Sequence, residues 1–161
     1  MSILVTGGAG YIGSHTLIAL IEAGFEPIVV DNLCNSKKES LKRVEKITGK
    51  KIKFYENDVR DAKAMDKIFS KNNIDSVIHF AGLKAVGESV QKPMEYYDNN
   101  LASTFVLIDA MKKHNVKKIV FSSSSTVYGA SETVPLKEGM PTGATNPYGR
   151  TKLFIEEILR D

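Results

Sequence analysis

The chain has 161 residues, which is within the usual size of a single globular domain. It carries 22 Lys and Arg residues against 19 Asp and Glu residues, a net charge of +3, and 42% of its residues are hydrophobic. This composition excludes disordered and collagen-like chains, and the dispersed lysine pairs are typical of a solvated surface rather than a nucleic-acid interface.

The sequence also bears on location. No apolar run approaches the roughly 20 residues that span a bilayer, and the short apolar stretch at the N-terminus lacks a basic leader. We therefore expect neither membrane insertion nor secretion. The only cysteine, Cys34, cannot form an internal disulfide, which favours a reducing, cytoplasmic location.

Short apolar runs alternate with helical patterns along the chain. Strands are predicted over residues 3–5, 27–30, 52–55, 76–80 and 118–121. Helices are predicted over residues 11–23, 36–48, 62–70, 93–113 and 147–159. The alternation predicts an α/β fold, a Rossmann-type doubly wound parallel sheet of about five strands in the order 3-2-1-4-5.

Two of these helices carry more detailed predictions. Ser36 and Glu39 have the spacing of a capping box, which predicts that the second helix starts at Ser36. On the long fourth helix we expect one apolar face, formed by Met94, Tyr97, Leu101, Phe105 and Ile108.

A glycine-rich turn connects the first predicted strand to the first helix. Gly8, Gly10 and Gly13 match GxGxxG, and Gly7, Gly10 and Gly13 also match GxxGxxG. The pattern alone is weak evidence for a nucleotide site because glycine is common in turns. Here, however, a strand precedes the pattern and a helix follows it. Without Cβ atoms the backbone can approach a pyrophosphate, whose charge the helix N-terminus stabilises, so the turn predicts a dinucleotide site.

Asp31 ends the second predicted strand, 18 residues after Gly13 (31 − 13). A carboxylate in this position accepts hydrogen bonds from ribose hydroxyls and repels a 2′-phosphate. Alone, Asp31 is better interpreted as a turn residue; together with the glycines it favours NAD over NADP.

Tyr148 and Lys152 are four residues apart on the last predicted helix and so share a face. An isolated pair of this kind is usually an ordinary surface pair. In a dinucleotide-binding fold, however, a tyrosine beside an ammonium can transfer protons, because the positive charge favours the phenolate. The serine run at residues 122–125 follows the fifth strand and could supply a hydroxyl.

Five blocks of sequence together resemble the extended short-chain dehydrogenase/reductase superfamily, and within it the nucleotide-sugar 4-epimerases. The blocks are TGGAGYIGSH, DNLCNS, HFAGLKAVGES, SSSSTVYG and YGRTK. The resemblance implies a catalytic triad of Ser124, Tyr148 and Lys152, of which Ser124 and Tyr148 also contact the substrate. It implies that NAD is bound by that triad together with Gly7, Gly10, Tyr11, Ile12, Gly13, Asp31, Asn32, Leu33, Cys34, Asn35, Ser36, Asp58, Val59, Phe80, Ala81, Gly82, Leu83, Lys84 and Asn99.

The activity implied by this resemblance is interconversion of UDP-galactose and UDP-glucose through a 4-keto intermediate, with tightly bound NAD. Tyr148 would take the proton of the sugar 4-hydroxyl, with Ser124 bridging. The complete enzyme would be a homodimer, and no metal is implied.

Other functions are compatible with parts of the same sequence pattern. Nucleotide-sugar 4,6-dehydratases share the fold and the Tyr/Lys pair, but carry acids where this chain has Ser125 and Thr126. Without an acid to protonate a leaving 6-hydroxyl, epimerisation is favoured. Two further alternatives are another NAD-dependent nucleotide-sugar epimerase, and a nucleotide-binding or dimerisation module without turnover. Structural roles are favoured for His79 and His114, and a nucleophilic role for Cys34 is disfavoured.

The resemblance also implies structure beyond five strands. A six-stranded Rossmann sheet has another strand after the Tyr148 helix, and the sugar contacts of the family come largely from a later domain. We therefore expect residues 1–161 to form an NAD-binding Rossmann domain, truncated before that strand and the substrate domain. Such a chain would bind NAD but turn over poorly or not at all.

Overall fold

A computed structural model describes residues 1–161. The strands are β1 Ser2–Thr6, β2 Glu26–Asp31, β3 Lys53–Glu56, β4 Ile74–His79 and β5 Ile119–Phe121. The helices are α1 Tyr11–Glu22, α2 Glu39–Thr48, α3 Ala62–Lys71, α4 Val86–Gln91, α5 Pro93–Lys113 and α6 Pro147–Arg160, with a 3₁₀ turn at Ser125–Tyr128. None of the helices combines the length and apolar character that crossing a bilayer requires.

All five strands belong to one parallel sheet in the order β3-β2-β1-β4-β5. The central strand β1 sets the register, with Leu4 opposite Ile28 of β2 and Val77 of β4. β3 and β5 form the two edges. The predicted fold class and strand order are confirmed.

The chain divides into two compact units. The first unit comprises Met1–Ala81 and Phe105–Phe121 and contains the whole sheet. The second comprises Gly82–Thr104 and Ser122–Asp161 and contains α4, the first part of α5, the 3₁₀ turn and α6.

The first unit has a hydrophobic cluster on each side of its sheet. Successive side chains of a strand point to opposite faces, so Leu4 belongs to one cluster while Ile3 and Val5 belong to the other. The first cluster includes Met65 and Phe69 of α3. Burial on both faces explains why the strands read as continuous apolar runs and not as alternating patterns.

The predicted capping box at Ser36 is wrong. α2 begins at Glu39, its N-cap is Lys38, and no side chain caps it. The Ser36 hydroxyl instead donates to Asp31 Oδ1 at 2.8 Å. A helix start offers only N–H donors to a capping hydroxyl, whereas the Asp31 carboxylate accepts the Ser36 proton in a charge-assisted bond that holds Ser36 in the preceding turn.

The predicted apolar face of α5 is also wrong. Met94 is 74% exposed and Phe105 49% exposed, although both belong to that predicted face. The buried positions of the helix instead include Tyr96, Asn100, Ser103, Thr104, Leu107 and Met111. Several of these are polar, and their hydrogen bonds are satisfied locally, as where Thr104 Oγ1 donates to the Asn100 carbonyl at 2.8 Å.

Both histidines that could suggest a metal or a base have structural partners. His79 is buried, and its Nδ1 lies 2.6 Å from Thr6 Oγ1, which joins the ends of β4 and β1. His114 follows α5, and its Nε2 lies 2.8 Å from Asp66 Oδ1. Lys113 and then His114 lower the pKa of Asp66. These contacts agree with the structural roles predicted for the two rings.

Candidate nucleotide and proton-transfer site

The predicted site residues form two groups, one in each compact unit. The first unit holds the glycine turn, Asp31, Asp58 and the end of β4. The second holds the loop at residues 82–84, Asn99 and the three predicted catalytic residues. Each group has its own supporting contacts.

The glycine turn runs from the end of β1 to the start of α1. Gly7 has φ +69°, and a Cβ there would lie 2.7 Å from the Ala81 backbone nitrogen, so only glycine fits. A Cβ on Gly13 would overlap the Gly7 carbonyl oxygen. Tyr11 and Ile12 open α1 and are exposed, and the first N–H groups of a helix lack intrahelical acceptors. A compact turn that presents free N–H groups fits a pyrophosphate.

Asp31 is buried at the end of β2 and organises the backbone around it. Its Oδ2 accepts from the Ala9 backbone N–H at 3.0 Å, which fixes the glycine turn. Its Oδ1 accepts from the Leu33 N–H at 2.9 Å and from the Ser36 hydroxyl. A carboxylate has about four lone-pair sites, so these three bonds leave capacity for one further donor such as a ribose hydroxyl.

The loop after Asp31 is held by side-chain turns. Asn32 Oδ1 accepts from the N–H of Cys34, whose thiol is free and exposed. Asn32 Nδ2 donates to Asp58 Oδ2 at 3.1 Å, so the segments after β2 and β3 are joined. The residues predicted to contact the ribose and the adenine are therefore neighbours.

Asp58 forms an ion pair with Arg60 at 2.9 Å. The Arg60 hydrogen bond lowers the pKa of Asp58 to about 2, with Asn32 acting in the same direction and partial burial opposing them. Val59 has its side chain in the hydrophobic core, so only its backbone is available for the contact predicted there.

The end of β4 closes this first group. The Phe80 N–H donates to the Thr6 carbonyl at 3.0 Å, and the Ala81 N–H lies 3.3 Å from Thr6 Oγ1. These bonds hold the Ala81 backbone against Gly7. The close approach of two chain segments, not chain flexibility, therefore explains the glycine requirement.

In the second unit, Asn100 holds the loop that contains Gly82, Leu83 and Lys84. Its Oδ1 accepts from the Leu83 N–H at 2.8 Å, and its Nδ2 donates to the Leu83 carbonyl and to Thr151 Oγ1, both at 3.0 Å. The sequence prediction missed Asn100. The sequence does contain a signal, because Asn100 lies one helical turn from both Tyr96 and Thr104. An amide buried on the same helix face as these residues must find hydrogen-bond partners.

Tyr148 and Lys152 lie in the first turns of α6, which starts at Pro147 behind an Asn146 cap. Tyr148 is 9% exposed and Lys152 only 5%. The Lys152 ammonium lies 5.9 Å from the centre of the Tyr148 ring and donates to the Ser122 carbonyl at 2.8 Å. Burial, and to a lesser extent the charge of Lys84, lowers the pKa of Lys152 to about 8.

Ser124 caps the 3₁₀ turn, which packs against the start of α6. Its hydroxyl oxygen accepts from the Thr126 N–H at 3.2 Å and from the Thr126 hydroxyl at 2.9 Å. A serine oxygen has two lone pairs, so both are engaged and the hydroxyl proton is left to donate. This arrangement is compatible with the donor role predicted for Ser124, while Ser125 is exposed.

A glycine turn opening α1 and a carboxylate closing β2 define a dinucleotide-binding Rossmann protein, and the buried Tyr–Lys pair adds a group able to move protons. The family model described as GDP-mannose 4,6 dehydratase matches residues 4–161. The chain belongs to that family.

Within the family, the chain is similar to UDP-glucose 4-epimerases. It is 63% identical over 161 residues to that of Bacillus subtilis (strain 168), covering 100% of this chain and 48% of the relative. It is 64% identical over 159 residues to that of Dictyostelium discoideum, covering 99% and 46%.

A solved structure agrees with these similarities. The UDP-glucose 4-epimerase of Bifidobacterium longum, in complex with NAD+ and UDP, superposes with a TM-score of 0.98 at 62% identity, over 100% of this chain and 48% of that one. The chain spans about half the length of these relatives. The resemblance predicted from the five sequence blocks is confirmed.

Proposed function

We propose that this chain provides the NAD site and the proton-transfer group of a UDP-glucose 4-epimerase, which interconverts UDP-galactose and UDP-glucose. The observation that carries the proposal is the buried pair of Tyr148 and Lys152, with the ammonium held by the Ser122 carbonyl. The similarity to epimerases, one of them solved with NAD+ and UDP, supports the same function.

The residues of the first unit would hold the cofactor. The glycine turn and the N-terminus of α1 would bind the pyrophosphate, and Asp31 would accept from the adenosine ribose. Asn32, Asp58 and the backbone of Val59 would border the adenine. NAD supplies the acceptor for the hydrogen on the sugar C4.

The residues of the second unit would move the proton. Tyr148, as phenolate, takes the proton of the sugar 4-hydroxyl and later returns it, and the Lys152 charge favours the phenolate. Ser124 donates a hydrogen bond to the same oxygen. Its own oxygen accepts from the Thr126 N–H and the Thr126 hydroxyl, so its proton is available for this bond. The 4-keto sugar must then turn over within the site before it is reduced on its other face.

Calorimetric titration and turnover assays test this proposal. We expect the 161-residue chain to bind NAD+ and to bind NADP+ much more weakly, because Asp31 repels a 2′-phosphate. Because the chain spans about half the length of its relatives, we expect it not to sustain turnover alone.

In full-length enzyme, Tyr148→Phe should abolish most conversion of UDP-galactose while NAD+ affinity is retained. A Tyr97→Phe variant, which removes a hydroxyl outside the proposed site, is the control. Near-normal epimerisation by Tyr148→Phe would contradict the proposal. Formation of a 4-keto-6-deoxy sugar would instead indicate a dehydratase, which the lack of a carboxylic acid at Ser125 and Thr126 argues against.

We also propose a homodimer, supported by exposed apolar side chains on the second unit, and a cytoplasmic location, which the single cysteine favours. Phe154 of α6 stacks on Tyr97 of α5 at 6.3 Å, and both are partly exposed, as is Met94. Substituting Phe154→Glu should shift the sedimentation coefficient of full-length enzyme to that of a monomer. An unchanged coefficient would place any interface elsewhere.

A further inference from the structure

Two side chains of α6 hold neighbouring residues of the serine run that follows β5. The Lys152 ammonium donates to the Ser122 carbonyl, and the Ser123 hydroxyl donates to Glu156 Oε1. Lys152 and Glu156 are four residues apart and therefore lie on one face of α6, a turn apart. Adjacent residues of the run are thus attached to adjacent turns of a single helix.

We infer that Glu156 is a positioning residue for the proton-transfer site, because its bond from Ser123 fixes the serine run that carries the acceptor of Lys152 and the donor Ser124. This inference rests on the proposed function for its catalytic consequence. The attachment itself is a property of the folded chain.

The position of the bond explains why it matters. Ser123 lies between the residue whose carbonyl meets Lys152 and the residue whose hydroxyl is proposed to meet the substrate. A bond from a hydroxyl to a carboxylate is charge-assisted, and both Ser123 and Glu156 are half-buried, which strengthens it relative to a surface contact. Without it, the segment between β5 and the 3₁₀ turn loses its attachment to α6 at that residue.

A small displacement of this segment has a large effect. Lys152 is only 5% exposed. If its ammonium loses the Ser122 carbonyl, bulk water cannot readily replace that acceptor. Ser124 follows directly in the chain and moves with its neighbour. Misplacement of reacting groups by about 1 Å costs up to about a hundredfold in rate.

The chain supplies matched controls for both partners. Glu157 is the next residue of α6 but is exposed, and its carboxylate lies 4.0 Å from Arg160. Ser125 belongs to the same serine run and is also exposed. Substitutions at these two positions change the same chemistry without breaking the attachment.

The first experiment measures hydrogen exchange in the 161-residue chain. Glu156→Ala should accelerate exchange of the backbone N–H groups over residues 122–126 by about tenfold or more. Glu156→Gln keeps an acceptor oxygen and should restore slow exchange, and Glu157→Ala should leave it unchanged. Equal protection in Glu156→Ala and wild type, in variants with matching circular dichroism, would overturn the inference whether or not the chain is an epimerase.

The second experiment measures turnover of UDP-galactose in full-length enzyme. Glu156→Ala should lower kcat by between about tenfold and a hundredfold while KM stays within about twofold. Glu156→Gln should recover most of kcat. A rise in KM with unchanged kcat would overturn the positioning role, whereas a wild-type enzyme without epimerase activity would instead contradict the proposed function.

A double-mutant cycle connects the two partners. Ser123→Ala and Glu156→Ala should each lower kcat, and the double variant should be no slower than the slower single variant. Ser125→Ala should have no effect. Additive losses would show that the two residues act separately and would overturn the inference.

Discussion

The glycine turn of the first unit and the serine run of the second are shaped in opposite ways. The turn depends on absent side chains, since Gly7 has a positive φ and lies against the Ala81 backbone. The serine run depends on side chains that reach it, since Lys152 and Glu156 bond to it from α6. A site built by close backbone approach fails by steric overlap, whereas one built by polar side chains responds to charge and pH.

Gly7→Ala is the largest expected perturbation. A Cβ there meets backbone at 2.7 Å and the positive φ adds strain, so we expect a loss of about 3 kcal/mol or more in the free energy of unfolding. Urea denaturation and NAD+ titration measure it, and NAD+ affinity should fall together with stability. Gly49→Ala is the control, because Gly49 has φ +66° but open space around it.

The Gly49→Ala control separates the strain of a positive φ from the steric overlap of a Cβ with neighbouring backbone. We expect Gly49→Ala to cost about 1 kcal/mol and to leave NAD+ affinity unchanged. Equal losses for the two variants would mean that the approach of Ala81 to Gly7 does not limit the turn.

The pH dependence of Lys152 is the next largest effect and belongs to the other region. Its pKa is about 8 in the folded chain and near 10.5 when unfolded. As pH rises from 8 to 10.5, the unfolded chain still holds a proton that the folded chain has lost, so folding stability rises by up to about 3 kcal/mol. Below pH 8 the cost of burying the charge is fully present.

Urea denaturation of wild type and Lys152→Met at pH 7, 9 and 10 measures this change. The stability of wild type relative to the variant should rise across that range, and an exposed Lys46→Met variant should show no such trend. A flat difference between wild type and Lys152→Met would contradict the lowered pKa of a buried ammonium.

Arg60→Gln is the smallest expected effect and tests whether the first region also responds to charge. Because the pKa of Asp58 is about 2 rather than 3.8, the pair contributes stability above pH 3.8, which is lost as pH falls through 2. Both side chains are about one-third exposed, so we expect a loss of about 0.5 kcal/mol at pH 7. Nuclear magnetic resonance titration of the Asp58 carboxyl should show its pKa rising toward 3.8. An unchanged pKa would exclude Arg60 as the main cause of the low pKa of Asp58.

The sheet and its strand order could be predicted because buried parallel strands leave continuous apolar runs between turns. Lys53–Glu56 and Ile119–Phe121 each lie within one residue of the predicted bounds. Pro93–Lys113 agrees with its predicted bounds because proline starts the helix and His114 and Asn115 follow its end. The two shortest helical elements, Val86–Gln91 and Ser125–Tyr128, were missed because a few residues carry no usable period.

Two of the failures, at Ser36 and at Asn100, come from polar contacts that spacing along the chain does not show. Ser36 fits a helix cap by spacing, but Asp31 takes its hydroxyl. Asn100 is a polar residue on a helix that has many apolar residues to bury. It is nevertheless buried, because Leu83 and Thr151 form hydrogen bonds with its side-chain amide. Spacing along the chain shows which hydroxyls and amides exist, but tertiary structure selects their partners.

The edge strand β5 has a consequence for how the 161-residue chain, taken by itself, behaves at high concentration. It has three residues, and Val120 in its centre is 64% exposed, so the open edge offers few hydrogen bonds but an apolar side chain. Exposed edges of this kind promote aggregation by adding strands from other molecules. Lys117 and Lys118 come directly before β5 and are exposed. In the 161-residue chain their charge opposes the approach of a second copy of the same edge, which disfavours self-association through β5.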